Sequence, residues 1–351
     1  MTAIRPRDLL TESLLGSLGG TADPAGVQPA VLTRDISRLA AAGYLGVALP
    51  PEFGGLGCTL RQAACGQRRL ARRAPATALA VSAHLYWTGA AADAYRAGDQ
   101  SLRWVLTEAA RGALFAGGHG GAAGEAGADL RFADPRSRCA PAGDGGYQFD
   151  DPGVLSTRTP GWDWIAVHGV HQAARPQSVI AFAGRGTRCT PAFRLARAES
   201  AGAPADVFMT SALTWGHSIL ASVQYSDTRR AFDAALTAYA ESATAALSDA
   251  GRAPSPGRPT APAARRPASS AQPSGGWPVA EAGITLDAMK ARIAEVTHPW
   301  QLAQEPAPDL GGQHLIGLHA MRHEIAEGAA SVHDTICQIT GAPAPARPLV
   351  Q

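Results

Sequence analysis

The chain has 351 residues, 46% hydrophobic and 17% charged, so it can bury a full core and is long enough for two or three subdomains. Its 31 basic and 29 acidic residues leave a formal charge of +2, which argues against the concentrated basic surface of a nucleic-acid partner. Five cysteines without CxxC spacing argue against a disulfide framework and a zinc knuckle. No apolar run approaches the roughly 20 residues of a membrane span, and MTAIRPRDLL lacks a signal core, so a cytoplasmic protein without membrane contact is expected.

From about Arg7 to Gly112 the pattern predicts helices, and residues 1–112 form the first block. Ile36, Leu39 and Ala40 share one face, and the alanine-rich run Ala76 to Ala92 predicts a close-packing helix. Between them lies LAAAGYLGVALPPEFGGLG, Leu39 to Gly57. Leu39 to Ala42 finish a helix, Gly43 supplies the positive φ that a helix C-terminus favours, and Pro50-Pro51 prevent the helix from resuming. Gly54 and Gly55 then allow a tight loop.

Between Ala113 and about Ala205 glycine, proline and short alternating runs replace the alanine helices. Tyr147 to Phe149 and Trp164 to His168 read as strands, so residues 113–205 predict a small β domain. The helical pattern returns through Leu213, Ile219, Val223, Phe232, Leu236 and Tyr239, opening a block that spans residues 206–351. It is interrupted at about 251–278 by a Pro-, Ala-, Ser- and Arg-rich tract too poor in apolar residues to order itself. Two helices follow, one around Ile284 to Val296 and one from His314 to Ile339. In the second, Leu315, Leu318, Met321, Ile325, Ala329, Val332 and Ile336 form one buried stripe at three- and four-residue steps. The fold class is mainly α with a small β domain.

Few residue constellations carry chemistry unaided. His319, His323 and Glu327 sit at four-residue steps, a spacing that can bind a metal, but read as the polar flank of a bundle helix, so no metal site is assigned. Trp215-Gly216-His217-Ser218 lacks the second glycine of a nucleophile elbow. His84 reads as a packed residue of its helix, and no phosphate-binding loop is present.

The ordered string Leu39 to Gly57 resembles the N-terminal signature of the acyl-CoA dehydrogenase family, and Arg61 to His84 resembles the helix pair that follows it. The resemblance implies an N-terminal helical domain, a central β barrel and a C-terminal four-helix bundle, with FAD as cofactor and an acyl-CoA or other small-molecule substrate. Gly117 to His119 with Glu125 to Asp129 is similar to an acidic glycine loop set against the flavin, which implicates Glu125 and Gly127. Asp144 to Trp164 is similar to the β-domain signature, implying that Leu155, Ser156 and Thr157 lie at the flavin ring. Cys337 to Gly341 resembles a loop that receives the cofactor of a neighbouring subunit, implicating Gln338 and Gly341. A homo-oligomer, or a hetero-oligomer with a homologue, follows from the same resemblance, with the stripe Leu315 to Ile336 buried between subunits.

The departures bear on activity. No arginine follows Tyr239 to grip a pyrophosphate, and the segment that carries the catalytic glutamate in many members has no counterpart before Gln351. Glu241 is the nearest carboxylate to the alternative position of that base. Three readings follow from the resemblance: an FAD-dependent oxidoreductase acting on an acyl thioester or related molecule, a flavin-dependent monooxygenase, which needs no such base, and a non-catalytic subunit paired with a full-length homologue.

Overall fold

The computed structural model describes residues 5–19, 27–117, 138–141, 147–150, 160–172, 177–185, 194–195, 204–250, 276–298 and 311–341. Six helices come first: α1 (Pro6–Leu9), α2 (Glu12–Ser17), α3 (Pro29–Ala41), α4 (Leu60–Arg73), α5 (Pro75–Arg96) and α6 (Arg103–Ala110). Capping is explicit at α4, where Thr59 Oγ1 accepts from the Gln62 amide at 3.2 Å and Gln62 Oε1 accepts from the Thr59 amide at 2.9 Å. The turn after α3 forms as the residues dictate. Gly43 has φ 77° and Gly54 has φ 80°, each followed or preceded by a single 3₁₀ turn. A Cβ at Gly55 would strike the Leu49 and Gly46 carbonyls, so the loop closes on itself and buries Val47 to Pro50.

The N-terminal pieces are tied together by one fully buried carboxylate. Asp35 of α3 accepts from the Gly19 amide at 2.8 Å and from Thr77 Oγ1 of α5 at 2.9 Å, and pairs with Arg34. Helix α5 is buried on every side because alanines let α4, α6 and the sheet approach it closely.

Six strands follow: β1 (Phe115–Gly117), β2 (Arg138–Pro141), β3 (Tyr147–Asp150), β4 (Trp164–His171), β5 (Gln177–Gly184) and β6 (Arg194–Leu195). They form one sheet in the order β3-β2-β4-β5-β6, with β1 also on β4. The described strands therefore make one small sheet between two helical blocks.

The last block holds α7 (Pro204–Ala250), α8 (Gly276–Thr297) and α9 (Gly311–Thr340). Helix α7, at 47 residues about 70 Å long, is the spine of the molecule. Its Ala212, Trp215, Ile219 and Val223 join the core with α4 and α5, whereas Ala221 and Phe232 join a second core with α8 and α9. Two expectations change here. Helix α8 starts at Gly276, so Trp277 and Pro278 are helical and the connector cannot extend to 278; residues 251–275 lie outside the described part. The stripe Leu318, Met321, Ile325, Ala329 and Val332 is covered by α7 and α8 of the same chain, so it is internal core and not a contact between subunits.

Candidate functional site

The sheet brings together the two ends of the segment 118–137. Strand β1 runs parallel to β4, with Phe115, Ala116 and Gly117 opposite Trp164, Ile165 and Ala166. Strand β2 also runs parallel to β4, with Arg138 and Cys139 opposite Val170 and His171. Since β5 occupies the other edge of β4, β1 and β2 lie one after the other along a single edge. The chain thus departs at Gly117 and rejoins the same edge at Arg138, anchoring at both ends the segment that contains Glu125 and Gly127.

Aromatic side chains pack together in the core around β1. Phe115 stacks on Trp164 with ring centroids 6.5 Å apart and meets Phe182 edge-on at 5.6 Å, while Trp104 packs edge-on to both Trp164 (5.0 Å) and Phe182 (5.6 Å). Trp87 of α5 meets Phe182 at 5.2 Å and lies 4.8 Å from Tyr86. Gly117 is the point of closest approach. A Cβ there would overlap Tyr86 Oη and Trp87 Nε1, so only glycine lets the strand pass over these two polar tips. Burial pushes the Tyr86 phenol well above its usual range, with the Trp87 indole pulling weakly the other way, so Tyr86 is a neutral hydroxyl here.

His84 is structural, as its helix setting suggested. Its Nδ1 accepts from the Phe115 amide at 3.2 Å, which leaves Nε2–H to donate to the Leu45 carbonyl at 3.0 Å. Burial lowers its pKa to about 4, against a weaker opposing effect from the Leu45 carbonyl, and so holds the ring neutral. Cys58 is similarly inert, because burial pushes its thiol up to about 12.

A second polar region lies where α7 meets its neighbours. Trp215 sits flat where a Cβ of Gly89 would be, and its Nε1 donates to Asp93 Oδ2 at 2.8 Å while Arg96 pairs with Oδ1 at 2.6 Å. Toward α9, Thr214 Oγ1 donates to the Thr210 carbonyl at 2.6 Å and accepts from His314 Nε2 at 2.9 Å. Buried His217 meets the His319 ring edge-on at 5.2 Å, and Arg322 donates to Gln224 at 2.6 Å. Burial lowers the His314 pKa, which favours the neutral ring. These residues fix α9 parallel to α7.

The expected site residues fall in three groups. Leu155, Ser156, Thr157, Glu125 and Gly127 lie outside the described residues. Gln338 is exposed on the last turn of α9, and Gly341, with φ 65°, ends that helix by donating its amide to the Cys337 carbonyl at 2.9 Å. Cys337 to Thr340 is therefore helix and not loop. The free carbonyls of a helix C-terminus suit hydroxyl or amine donors and repel phosphate. Glu241 is exposed on the part of α7 beyond its core contacts, where water solvates it, so it is not part of the aromatic junction. His319, His323 and Glu327 are likewise exposed, and the described residues contain no cluster suited to a metal. Sequence reading missed Tyr86, Trp87, Asp93 and Trp215 as interacting residues; the aromatic pair inside an otherwise alanine-rich run was the available signal.

Helices, an interposed sheet and a further set of long helices define the acyl-CoA dehydrogenase-like fold. Residues 23–111 match the family of the acyl-CoA dehydrogenase N-terminal domain. No curated protein sequence matches it. Among solved structures it resembles a nitrososynthase from Micromonospora carbonacea var. africana, at TM-score 0.65 and 17% identity over 96% of this chain and 86% of that one. KijD3 in complex with dTDP gives 0.59 at 20% identity over 96% and 84%. Dibenzothiophene monooxygenase (TdsC) from Paenibacillus sp. A11-2, also solved bound to FMN, gives 0.56 at 16% over 88% and 80%.

Proposed function

We propose that this chain is a flavin-dependent oxidoreductase that uses reduced flavin and oxygen on a small molecule, rather than one that desaturates an acyl thioester. The observation that carries the choice is the state of the carboxylates among the described residues. Desaturation needs a free carboxylate at the flavin to take a proton from carbon. Glu241 is exposed away from the aromatic junction, Asp93 is held by Trp215 and Arg96, and Asp163 accepts from the Leu114 amide at 2.8 Å. A monooxygenase has no need of that base. The similarity in fold to a dibenzothiophene monooxygenase and a nitrososynthase supports the same reading.

The residues present suit a flavin. A flavin ring requires a dry apolar wall, which Trp104, Phe115, Trp164 and Phe182 supply, and amide donors for its phosphates, which a glycine-rich segment anchored at both ends to one strand edge can supply. By resemblance, Ser156 and Thr157 bind the ring and Glu125 and Gly127 border it, with Gln338 and Gly341 of a neighbouring copy contributing donors and acceptors. When bound, the flavin supplies the electrons passed to oxygen. The chain's own part is to exclude water at the wall, hold the ring by Thr157 and keep Tyr86 protonated beneath Gly117.

Titration with FMN and with FAD, followed by flavin fluorescence, tests the proposal. At least one should bind, and Thr157→Val should weaken binding or slow reduction about tenfold, the scale of one lost hydrogen bond to a charged group. The wild type supplied with reduced flavin should consume oxygen with a substrate-dependent yield of product. Failure to bind either flavin would remove the reading and leave the non-catalytic subunit, for which the matching test is flavin uptake only after mixing with a full-length homologue.

A further inference from the structure

Helix α7 buries four serines, Ser211, Ser218, Ser222 and Ser226, whose hydroxyls have no partner among the described residues, and each is at most 1% exposed. A helical serine or threonine commonly donates to the carbonyl four residues back, as Thr214 and Thr228 of the same helix do at 2.6 and 2.9 Å. Buried polar groups left unanswered are costly and few, so four on one helix call for a cause. They also share a face. Ser211, Trp215, Ser218, Ser222, Ser226 and Asp233 follow one another at steps of three, four or seven residues along one stripe. Trp215 lies on Gly89 and bonds Asp93 of α5, while Asp233 pairs with Arg72 of α4, so the stripe between them is turned toward α5 and α4.

The facing helices spend their buried polar groups elsewhere. Gln67 of α4 donates to the Ala78 carbonyl and to Ser82 Oγ and accepts from Tyr44, and Ser82 in turn donates to the Ala78 carbonyl. Thr77 is bonded to Asp35 and Thr88 to the His84 carbonyl. The charges along the stripe are settled as well, Asp93 with Arg96 and Asp233 with Arg72 and Arg229. What remains on offer is a row of neutral hydroxyls, each able to donate one hydrogen bond and to accept others. A hydrocarbon would leave them unanswered, and a phosphate or carboxylate would find no unpaired cation on the stripe. We infer that the row Ser218, Ser222 and Ser226 binds an uncharged molecule rich in hydroxyl groups. The row rises about 12 Å along the helix, the reach of one or two sugar rings.

Topology sets this row beside the sheet junction. Helix α5 runs antiparallel to α7, since its end holds Trp215 while Arg72, just before its start, holds Asp233. Tyr86, midway along α5, therefore stands level with the serines, and its Oη lies beneath Gly117, where the glycine-rich segment leaves the sheet. The molecule's role as substrate rests on the flavin reading above, whereas its binding to the serines does not need a flavin. Unanswered hydroxyls lower the stability of the free protein, and a ligand that answers them recovers it, which is the usual trade between stability and function at a binding site.

Calorimetric titration and thermal melting of the full chain test this, with the methyl glycosides of glucose, mannose and galactose as probes and indole as their apolar counterpart. At least one glycoside should bind and raise the melting temperature, and indole should not. Combining Ser218→Ala, Ser222→Ala and Ser226→Ala removes hydroxyls that the protein leaves unanswered, so melting without a probe should stay the same or rise. Glycoside binding should weaken by about tenfold or more. Ser222→Ala alone, which removes a single oxygen atom, decides the matter if the combined variant fails to fold. Absence of glycoside binding overturns the proposal, and so does a serine variant that binds as the wild type does. A variant that melts lower without a probe overturns it too, because the hydroxyls would then be paired inside the folded protein, by bound water alone. Flavin titration of the same samples separates the two readings: flavin bound without glycoside sinks this one and spares the other, and glycoside bound without flavin does the reverse.

Discussion

Helices α5 and α8 are each 22 residues long and rich in alanine, yet their surroundings differ. Helix α5 threads between α4, α6, α7 and β1, and nearly every residue from Thr77 to Ala94 is buried. Alanine there is a packing device: it lets α7 come close enough for Trp215 to lie on Gly89. Helix α8 spends one apolar face on the core and leaves the other open, where its alanines alternate with Trp277 and Ile284. The contrast teaches that an alanine-rich helix has no fixed meaning. Its neighbours within the chain account for α5, and they account for only half of α8.

The most severe test of the contrast places one substitution in each helix. Ala90 is fully buried, so Ala90→Glu must bury a carboxylate or break the seam with α7. The expected cost is several kcal/mol, enough that the chain is insoluble or lacks a cooperative melt. Next is Asp93→Ala. It strands the Trp215 indole N–H and the Arg96 guanidinium in the same seam, and breaking a buried pair costs about 3–4 kcal/mol. Urea unfolding should show the loss. A variant as stable as wild type would mean that the α5–α7 seam rests on shape alone.

A pH experiment sharpens the comparison from the side of α5. His84 has its pKa lowered to about 4 by burial, against an unfolded value near 6.5. Above pH 6.5 both states are neutral and no penalty exists. As pH falls from 6.5 toward 4, the unfolded chain binds a proton that the native chain refuses, so stability declines through that window. The loss from His84 alone approaches ~3 kcal/mol. Burial also lowers His314 and His333, which act in the same direction. Urea midpoints measured between pH 7.5 and 5 should fall, and His84→Gln should flatten the decline while lowering stability at pH 7.5. An unchanged slope in the variant would show that His84 takes up its proton freely.

Local features were legible in the sequence because their causes are local. Gly43, the Pro50-Pro51 stop, the strand run Trp164 to His168 and the stripe of α9 each follow from backbone permission or periodicity within a few residues. Contacts that define the candidate site are of another kind. Trp215 and Asp93 lie 122 residues apart, and His84 reaches Phe115 across 31. Nothing in helical spacing says that Tyr86 and Trp87 will underlie Gly117. The family resemblance set the acidic glycine segment against the flavin, and that segment lies outside the described residues, between β1 and β2 on one edge of β4. It misjudged Cys337 to Gly341, where helix propensity carries α9 on to Thr340, and it assigned to subunit contact a stripe that α7 and α8 cover.

The smallest expected effect on stability completes the comparison. Ala280→Glu repeats in α8 the substitution that should destroy α5, at an exposed position one turn from the helix start. Glutamate is a good helix former, and its charge favours a helix N-terminus, so melting should change by no more than about 0.5 kcal/mol. A large loss of stability would mean that the outer face of α8 is covered within the chain, and the two helices would then be alike after all.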